Sequence, residues 1–94
     1  MDIKEIIEDA VLFRKRRTED VTLNNGTVGE LTANVFVVGP YEIWVSVGLF
    51  DNETGNPIVG IRKVFNEKTL YKATETMAKC FQKELNKIGI GPLG

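Results

Sequence analysis

Histidine is absent from this chain of 94 residues, and cysteine occurs once, as Cys80. Histidine is the commonest general base and the commonest metal ligand in proteins, so its absence removes both roles. A structural zinc site needs roughly four nitrogen or sulfur ligands, which this composition does not provide. One cysteine also excludes a disulfide within the chain, which fits a reducing compartment. We therefore expect a cytoplasmic protein without metal, cofactor or enzymatic activity.

The chain also lacks a long apolar run. Its apolar residues come in short, interrupted groups, and none of these is long enough to cross a bilayer, so no membrane association is expected. The stretch from Met1 to Glu5 has neither the basic start nor the apolar segment of a secretory signal. At this length we expect one domain over residues 1–94, because two separate cores would each be too small to fold alone. A flexible tail is expected over residues 89–94, where glycine and proline cannot extend a helix.

Hydrophobic periodicity predicts a helix at each end of the chain. The first, over residues 2–16, has apolar residues at helical spacing, and Asp2 with Glu5 has the spacing of a capping box. The second is expected over residues 67–88, with Asn66 as its N-cap. Its buried stripe is predicted to consist of Leu70, Ala73, Thr74, Met77, Phe81, Leu85 and Ile88.

Between the helices the sequence predicts three or four antiparallel strands. Residues 20–38 alternate on both sides of Asn25-Gly26, which predicts a two-residue hairpin turn with positive φ at both positions. Further strands are expected over residues 41–50 and 58–65, which are rich in β-branched and aromatic side chains. The connections are short, so neighbouring strands are expected to pair in a meander.

The fold class expected from this order is α+β, with an N-terminal helix, an antiparallel meander and a long C-terminal helix packed on the sheet in two layers. The last helix is expected to cover the face made of Val35, Val37, Val45, Val47, Ile61 and Phe65. The opposite face then carries Phe36, Val38, Trp44, Phe50 and Ile58. The first helix, a second copy of the chain or a partner has to cover this face, and the sequence leaves these alternatives open.

Aromatic residues beside an arginine are typical of a protein interface, where they dominate the binding energy. The candidate interface residues are Phe36, Trp44, Phe50 and Arg62. Aromatic residues on a sheet also stack bases in some RNA-binding proteins.

The last predicted helix carries a row of lysines opposite its apolar stripe, made of Lys68, Lys72, Lys79, Lys83 and Lys87. Lysines in a row contact phosphates without reading base sequence, so this row is the candidate nucleic-acid surface. A solvated helix face that keeps the protein soluble has the same pattern. The net charge of −1 argues against nucleic acid as the partner, since domains that bind it are usually clearly basic.

The order of a helix, three strands and a helix is similar to that of a double-stranded-RNA-binding domain. In that family the start of the second helix carries a basic cluster. The matching stretch here is residues 66–72, in which Lys68 and Lys72 correspond to that cluster and Glu67 has the opposite charge. The resemblance covers the order of elements, and it implies RNA binding through the last helix. Compact chains of this size and order are also similar to accessory proteins of phages and mobile elements.

Two functions therefore stand as hypotheses. The preferred one is a small non-enzymatic binding protein that acts through protein–protein interaction, such as a phage-type inhibitor or adaptor, with a homodimer as one form of association. It is motivated by the aromatic sheet face and by a charge asymmetry, since residues 1–57 hold ten acidic and five basic residues and residues 58–94 hold three and seven. The alternative is nucleic-acid binding through the lysine row.

Overall fold

The computed structural model describes residues 3–89, and it confirms the α+β fold class. The elements are α1 (Ile3–Phe13), β1 (Arg17–Thr22), β2 (Val28–Gly39), β3 (Glu42–Asp51), β4 (Pro57–Phe65), a 3₁₀ helix (Leu70–Lys72) and α2 (Ala73–Ile88). The four strands form one sheet in the order β1-β2-β3-β4, and each neighbouring pair is antiparallel. Of the predicted flexible tail, Gly89 alone lies within the described residues.

Arg14 ends the first helix. Its φ of 51° is in the left-handed region, where an L-residue cannot continue a right-handed helix. The Arg14 guanidinium donates a hydrogen bond back to the carbonyl oxygen of Val11, which the end of the helix leaves without a partner. The helix therefore stops at Phe13 instead of residue 16, and the predicted cap Asp2 lies outside the described residues.

The turn between β1 and β2 has three residues, Asn24 to Gly26, so the predicted two-residue turn is wrong. Gly26 has a φ of 86°, whereas Asn25 has no positive φ. The strand register explains why the turn has three residues, because it pairs Val21 with Gly29 and so keeps Val21 on the buried face. A two-residue turn would shift the pairing by one residue and move Val21 to the other face. A three-residue loop with a left-handed glycine avoids that cost.

Both helices pack on the same face of the sheet. α1 contacts β1 and β2, α2 contacts β3 and β4, and the two helices contact each other. Of the predicted buried stripe of the last helix, Leu70, Ala73, Met77, Phe81 and Leu85 are buried. Thr74 is only half-buried, and the prediction is wrong for Ile88, which is 43% exposed at the end of α2. The strands contribute the other half of the core through Val21, Leu23, Leu31, Ala33, Val35, Ile43, Val45, Val47 and Leu49. α1 contributes Ile6, Ile7, Ala10 and Val11 to this core, so it leaves the second sheet face uncovered.

Two apolar residues do not have the burial that the alternation of inward and outward side chains predicts for β2 and β4. Val37 belongs to the helix-side face but is 50% exposed, because neither helix covers the end of β2 near the β2–β3 turn. Ile58 is predicted on the opposite face, and this is wrong, since it packs against the core. A register shift pairs Phe50 with Pro57 and leaves Ile58 as the extra residue of a bulge.

The last helix begins later than predicted. Asn66 and Thr69 first form a reciprocal cap, in which the Thr69 N–H donates to Asn66 Oδ1 at 2.9 Å and the Asn66 N–H donates to Thr69 Oγ1 at 3.0 Å. The capped turn leads into the 3₁₀ helix and then into α2 at Ala73. Asn66 therefore caps a turn rather than the α-helix itself. Gly89 ends α2 with a φ of 69°, a typical helix terminus.

Replacing Phe81 with alanine is expected to lower the free energy of unfolding by about 3–5 kcal/mol, because it empties a fully buried site. Phe36→Ala is the matched control, since the Phe36 side chain is 63% exposed and is expected to cost less than about 1 kcal/mol. Urea denaturation of both variants measures the difference. Equal losses of stability for the two variants would contradict the observed orientation of α2, in which Phe81 faces the sheet.

Candidate functional site

The sheet face opposite to the helices carries no covering element among residues 3–89. We call it the open face. All four predicted interface residues lie on it, since their strand positions alternate with the buried ones. Phe36 and Arg62 are exposed there, whereas Trp44 and Phe50 are half-buried. The structure thus brings together side chains that the sequence places on three different strands.

The strand register arranges the open face in rows that run across the strands. A row of small residues contains Thr18, Thr32, Gly48 and Gly60. The next row, toward the β2–β3 turn, contains Asn34, Ser46 and Arg62. Beyond it lies a row of large apolar residues, Phe36, Trp44 and Val64. We call these the small row, the polar row and the aromatic row.

Trp44 is held in place by two polar neighbours. Its Nε1–H donates a hydrogen bond to Glu42 Oε2 at 2.8 Å. The Arg62 guanidinium carbon lies 4.8 Å from the centre of the Trp44 ring, within the range of a cation–π contact. These contacts orient the indole and cover part of its surface, so Trp44 is less exposed than Phe36 in the same row.

Phe50 folds back over the small row. A Cβ built on Gly48 would lie 2.8 Å from Cε2 and 3.1 Å from Cζ of the Phe50 ring. The ring therefore rests directly on the Gly48 backbone, in space that any side chain at residue 48 would occupy. Gly60, the cross-strand neighbour of Gly48, has no ring above it. The atom nearest to a Cβ built on Gly60 is the Val47 carbonyl oxygen, at 3.7 Å.

A groove of about 430 Å³ crosses the open face along the small and polar rows. Its side-chain lining includes Arg16, Thr32, Asn34, Ser46, Phe50 and Arg62, and Gly48 and Gly60 form part of its floor. Two arginines, from opposite edges of the sheet, thus line one groove. Within residues 3–89 no carboxylate lines it. The ion pairs among those residues, Arg17 with Asp9 and Lys87 with Glu84, include neither Arg16 nor Arg62.

Sequence reasoning missed Arg16 and the glycine floor. Arg16 precedes β1, and the basic run around it resembles a helix end, so no local signal places it over the sheet. The glycines are positions on alternating strands, and they become neighbours only through the register that pairs Gly48 with Gly60.

The lysine row lies on a different surface. Lys68 is in the turn before the 3₁₀ helix, and Lys72 is in that helix with its Nζ 5.6 Å from the Tyr71 ring centre. Lys79 and Lys83 are exposed on α2, and Lys87 pairs with Glu84 at 3.2 Å. The row is thus not one continuous α-helical stripe, and it belongs to the helical layer rather than to the open face.

The described part of the chain contains no cluster of histidine, cysteine, aspartate and glutamate that would hold a metal ion. None of its helices has the length and apolarity needed to cross a membrane. No family model matches the chain, and comparisons with curated proteins and with solved structures also find no match.

Alanine substitutions at the two glycines are expected to differ in their effect on stability. Gly60→Ala places its Cβ in ordinary van der Waals contact, 3.7 Å from the Val47 carbonyl oxygen, and reduces the freedom of the unfolded chain, so it is expected to raise the free energy of unfolding by about 0.4–1 kcal/mol. Gly48→Ala has to displace the Phe50 ring, so it is expected to be less stable than Gly60→Ala by about 1 kcal/mol. Urea midpoints compare the two. Equal stability would show that Phe50 does not rest on Gly48.

Proposed function

We propose that this chain is a small non-enzymatic binding protein that acts through protein–protein interaction at its open face. The observation that supports this most is the placement of both helices on one side of the sheet, which leaves Phe36, Trp44, Phe50 and Arg62 together on the other. Large apolar side chains without cover usually mark an interaction site. Tryptophan and arginine are also the residues most enriched among energetic hot spots.

The apolar area of the open face is concentrated near the β2–β3 turn. Phe36 and Val64 on the open face are 63% and 45% exposed. Beside them, Val38 is 57% exposed at the register shift that ends β2, and Tyr41 in the turn is 85% exposed. The half-buried Trp44 lies between Phe36 and Val64 in the register. An apolar centre next to polar and charged groups is the usual anatomy of a protein interface.

The proposal includes the place and form of action. The protein is proposed to act in the reducing cytoplasm, where a free cysteine such as Cys80 stays reduced. An inhibitor or adaptor of the type that phages and mobile elements encode needs a compact scaffold and one binding face, which this fold provides. A second copy of the chain is the simplest alternative partner, and the oligomeric state at increasing concentration tests it directly.

Trp44→Ala is expected to abolish partner binding while lowering the free energy of unfolding by less than about 2 kcal/mol, since the side chain is half-buried. The immobilised chain is incubated with extract of the cells that produce it, with and without nuclease, and captured proteins are compared between variants. Lys63→Gln is the control, because Lys63 is exposed but alternates with the open-face positions of β4. A stable Trp44→Ala protein that captures the same proteins as wild type would refute the proposal.

Nucleic-acid binding through the lysine row is the second candidate, supported by the exposure of Lys72, Lys79 and Lys83 on one layer. The net charge of −1 opposes it, so no binding to mixed-sequence duplex DNA or RNA is expected at physiological salt. Fluorescence anisotropy with labelled duplexes measures this. Submicromolar affinity, reduced when the three lysines are replaced by glutamine and with a shallower salt dependence, would favour this candidate instead.

A further inference from the structure

We propose that the groove on the open face binds an extended acidic segment of the partner protein, with one carboxylate on Arg16 and another on Arg62. This inference rests on the proposed function, and it adds the chemistry of the partner. The protein supplies the positive ends of the site, and the partner supplies the negative charges.

Charge complementarity is the first argument. Two arginines line the groove, and none of its described lining residues is acidic. Both side chains are exposed, and neither is in an ion pair among residues 3–89. The planar guanidinium presents paired N–H donors that match the two oxygens of a carboxylate. The groove is therefore ready for two carboxylates without the separation of an existing ion pair.

The spacing of the arginines favours an extended ligand that runs across the strands. Arg62 is on β4 and Arg16 directly precedes β1, so three interstrand steps separate them, which is about 14 Å between backbones. An extended segment advances about 13 Å over four residues. Acidic residues four positions apart therefore match the two arginines, and a side chain midway between them points in the same direction.

The floor of the groove suits such a segment. Gly60 is on β4, two residues from Arg62, and no side chain lies within 4 Å of its Cβ position, which leaves room for the segment at the Arg62 end of the groove. Asn34 and Ser46 offer amide and hydroxyl groups to the backbone of the segment, whereas the buried Thr32 hydroxyl is hydrogen-bonded to that of Thr18 at 3.3 Å. Phe50 forms one side of the groove, and Arg62 connects its other end to Trp44.

A peptide fits these surroundings better than a single-stranded nucleic acid. Arg62 already covers a face of the Trp44 ring, which removes the best stacking surface for a base. Glu30 and Asp51 line a smaller depression beside the groove, which Arg16 also borders, so these acids oppose any anion at the Arg16 end and a continuous phosphate chain most of all. A segment with two separated carboxylates avoids most of that repulsion, whereas a nucleic acid carries one charge per nucleotide.

The probe for this inference is the synthetic peptide acetyl-Thr-Glu-Val-Ser-Val-Glu-Thr-amide, which carries two glutamates four positions apart. Trp44 is the one tryptophan of the chain and touches Arg62, so its fluorescence reports on the groove. We expect saturable binding at low ionic strength that weakens as salt is added. The matched peptide with glutamine at both positions is expected to bind at least about tenfold more weakly.

Three variants locate the binding. Arg16→Gln combined with Arg62→Gln is expected to weaken binding of the glutamate peptide about tenfold or more, whereas Lys63→Gln removes the same type of charge from the other side of β4 and is expected to leave it unchanged. Gly60→Val fills the floor of the groove. The Cβ that this change adds lies 3.7 Å from the nearest atom, an ordinary van der Waals distance. We expect binding to be lost, and the urea midpoint of the variant shows whether it remains folded. Because Arg62→Gln can itself alter Trp44 fluorescence, two-dimensional NMR titration confirms each affinity.

The outcomes separate this inference from the proposed function. Equal binding of the glutamate and glutamine peptides, full binding by folded Gly60→Val, or no binding of the glutamate peptide overturns the acidic-segment inference. Preferential binding of a decathymidine oligonucleotide that depends on Arg16 and Arg62 overturns it in favour of phosphate. If the extract experiment still captures a partner in a Trp44-dependent way, the proposed function stands in each of these cases. If that capture fails while the glutamate peptide binds as expected, the groove stands without the proposed partner interaction.

Discussion

The packing of two helices side by side on one sheet face is the constraint on which the rest of the structure depends. Four strands about 4.8 Å apart form a surface roughly 14 Å wide between its edge backbones, and two helices about 10 Å apart cover that width. α1 lies over β1 and β2, and α2 lies over β3 and β4, so the layer is complete. Phe81 is fully buried in the core between these layers. No helix formed by residues 3–89 remains for the other side of the sheet, and the open face is a geometric consequence of this packing.

An uncovered face accounts for its own polar residues but not for its aromatic ones. Asparagine, serine and glycine across the middle of the sheet are residues that contact with water favours, whereas Thr32 there is buried and its hydroxyl is paired with that of Thr18. Phe36 gains little from burial in the isolated chain, and Trp44 and Phe50 gain only part of theirs. These side chains would gain the remaining hydrophobic stabilisation only if a further surface removed them from water. The aromatic row differs from the scattered exposed apolar residues of most proteins because its large side chains are adjacent to one another.

Local sequence patterns predict the helices, the strands and their buried faces well, but they predict the turns and register shifts poorly. The period of two in the strands separates Val45 from Trp44, and the period of 3.6 in the last helix identifies Met77 and Phe81, because each pattern depends on one element. The turn at Gly26 and the bulge at Ile58 depend on pairing between strands, which composition does not encode. Arg62 was predicted as a site residue, but its pairing with Arg16 in one groove was missed for the same reason. The two arginines are far apart in sequence, and they share a surface only after four strands have paired in order.

The contact between Arg62 and Trp44 makes the groove and the aromatic row one surface. Arg62 lines the groove and stacks on the indole, while Glu42 holds the opposite polar edge of that indole through Nε1. A ligand that draws the guanidinium toward the groove uncovers part of the ring, and a ligand that packs on the ring restricts the guanidinium. The two regions are therefore coupled through one side chain. A contact to a restrained donor costs less conformational entropy, so the indole that limits the motion of Arg62 would also favour its binding to the proposed carboxylate.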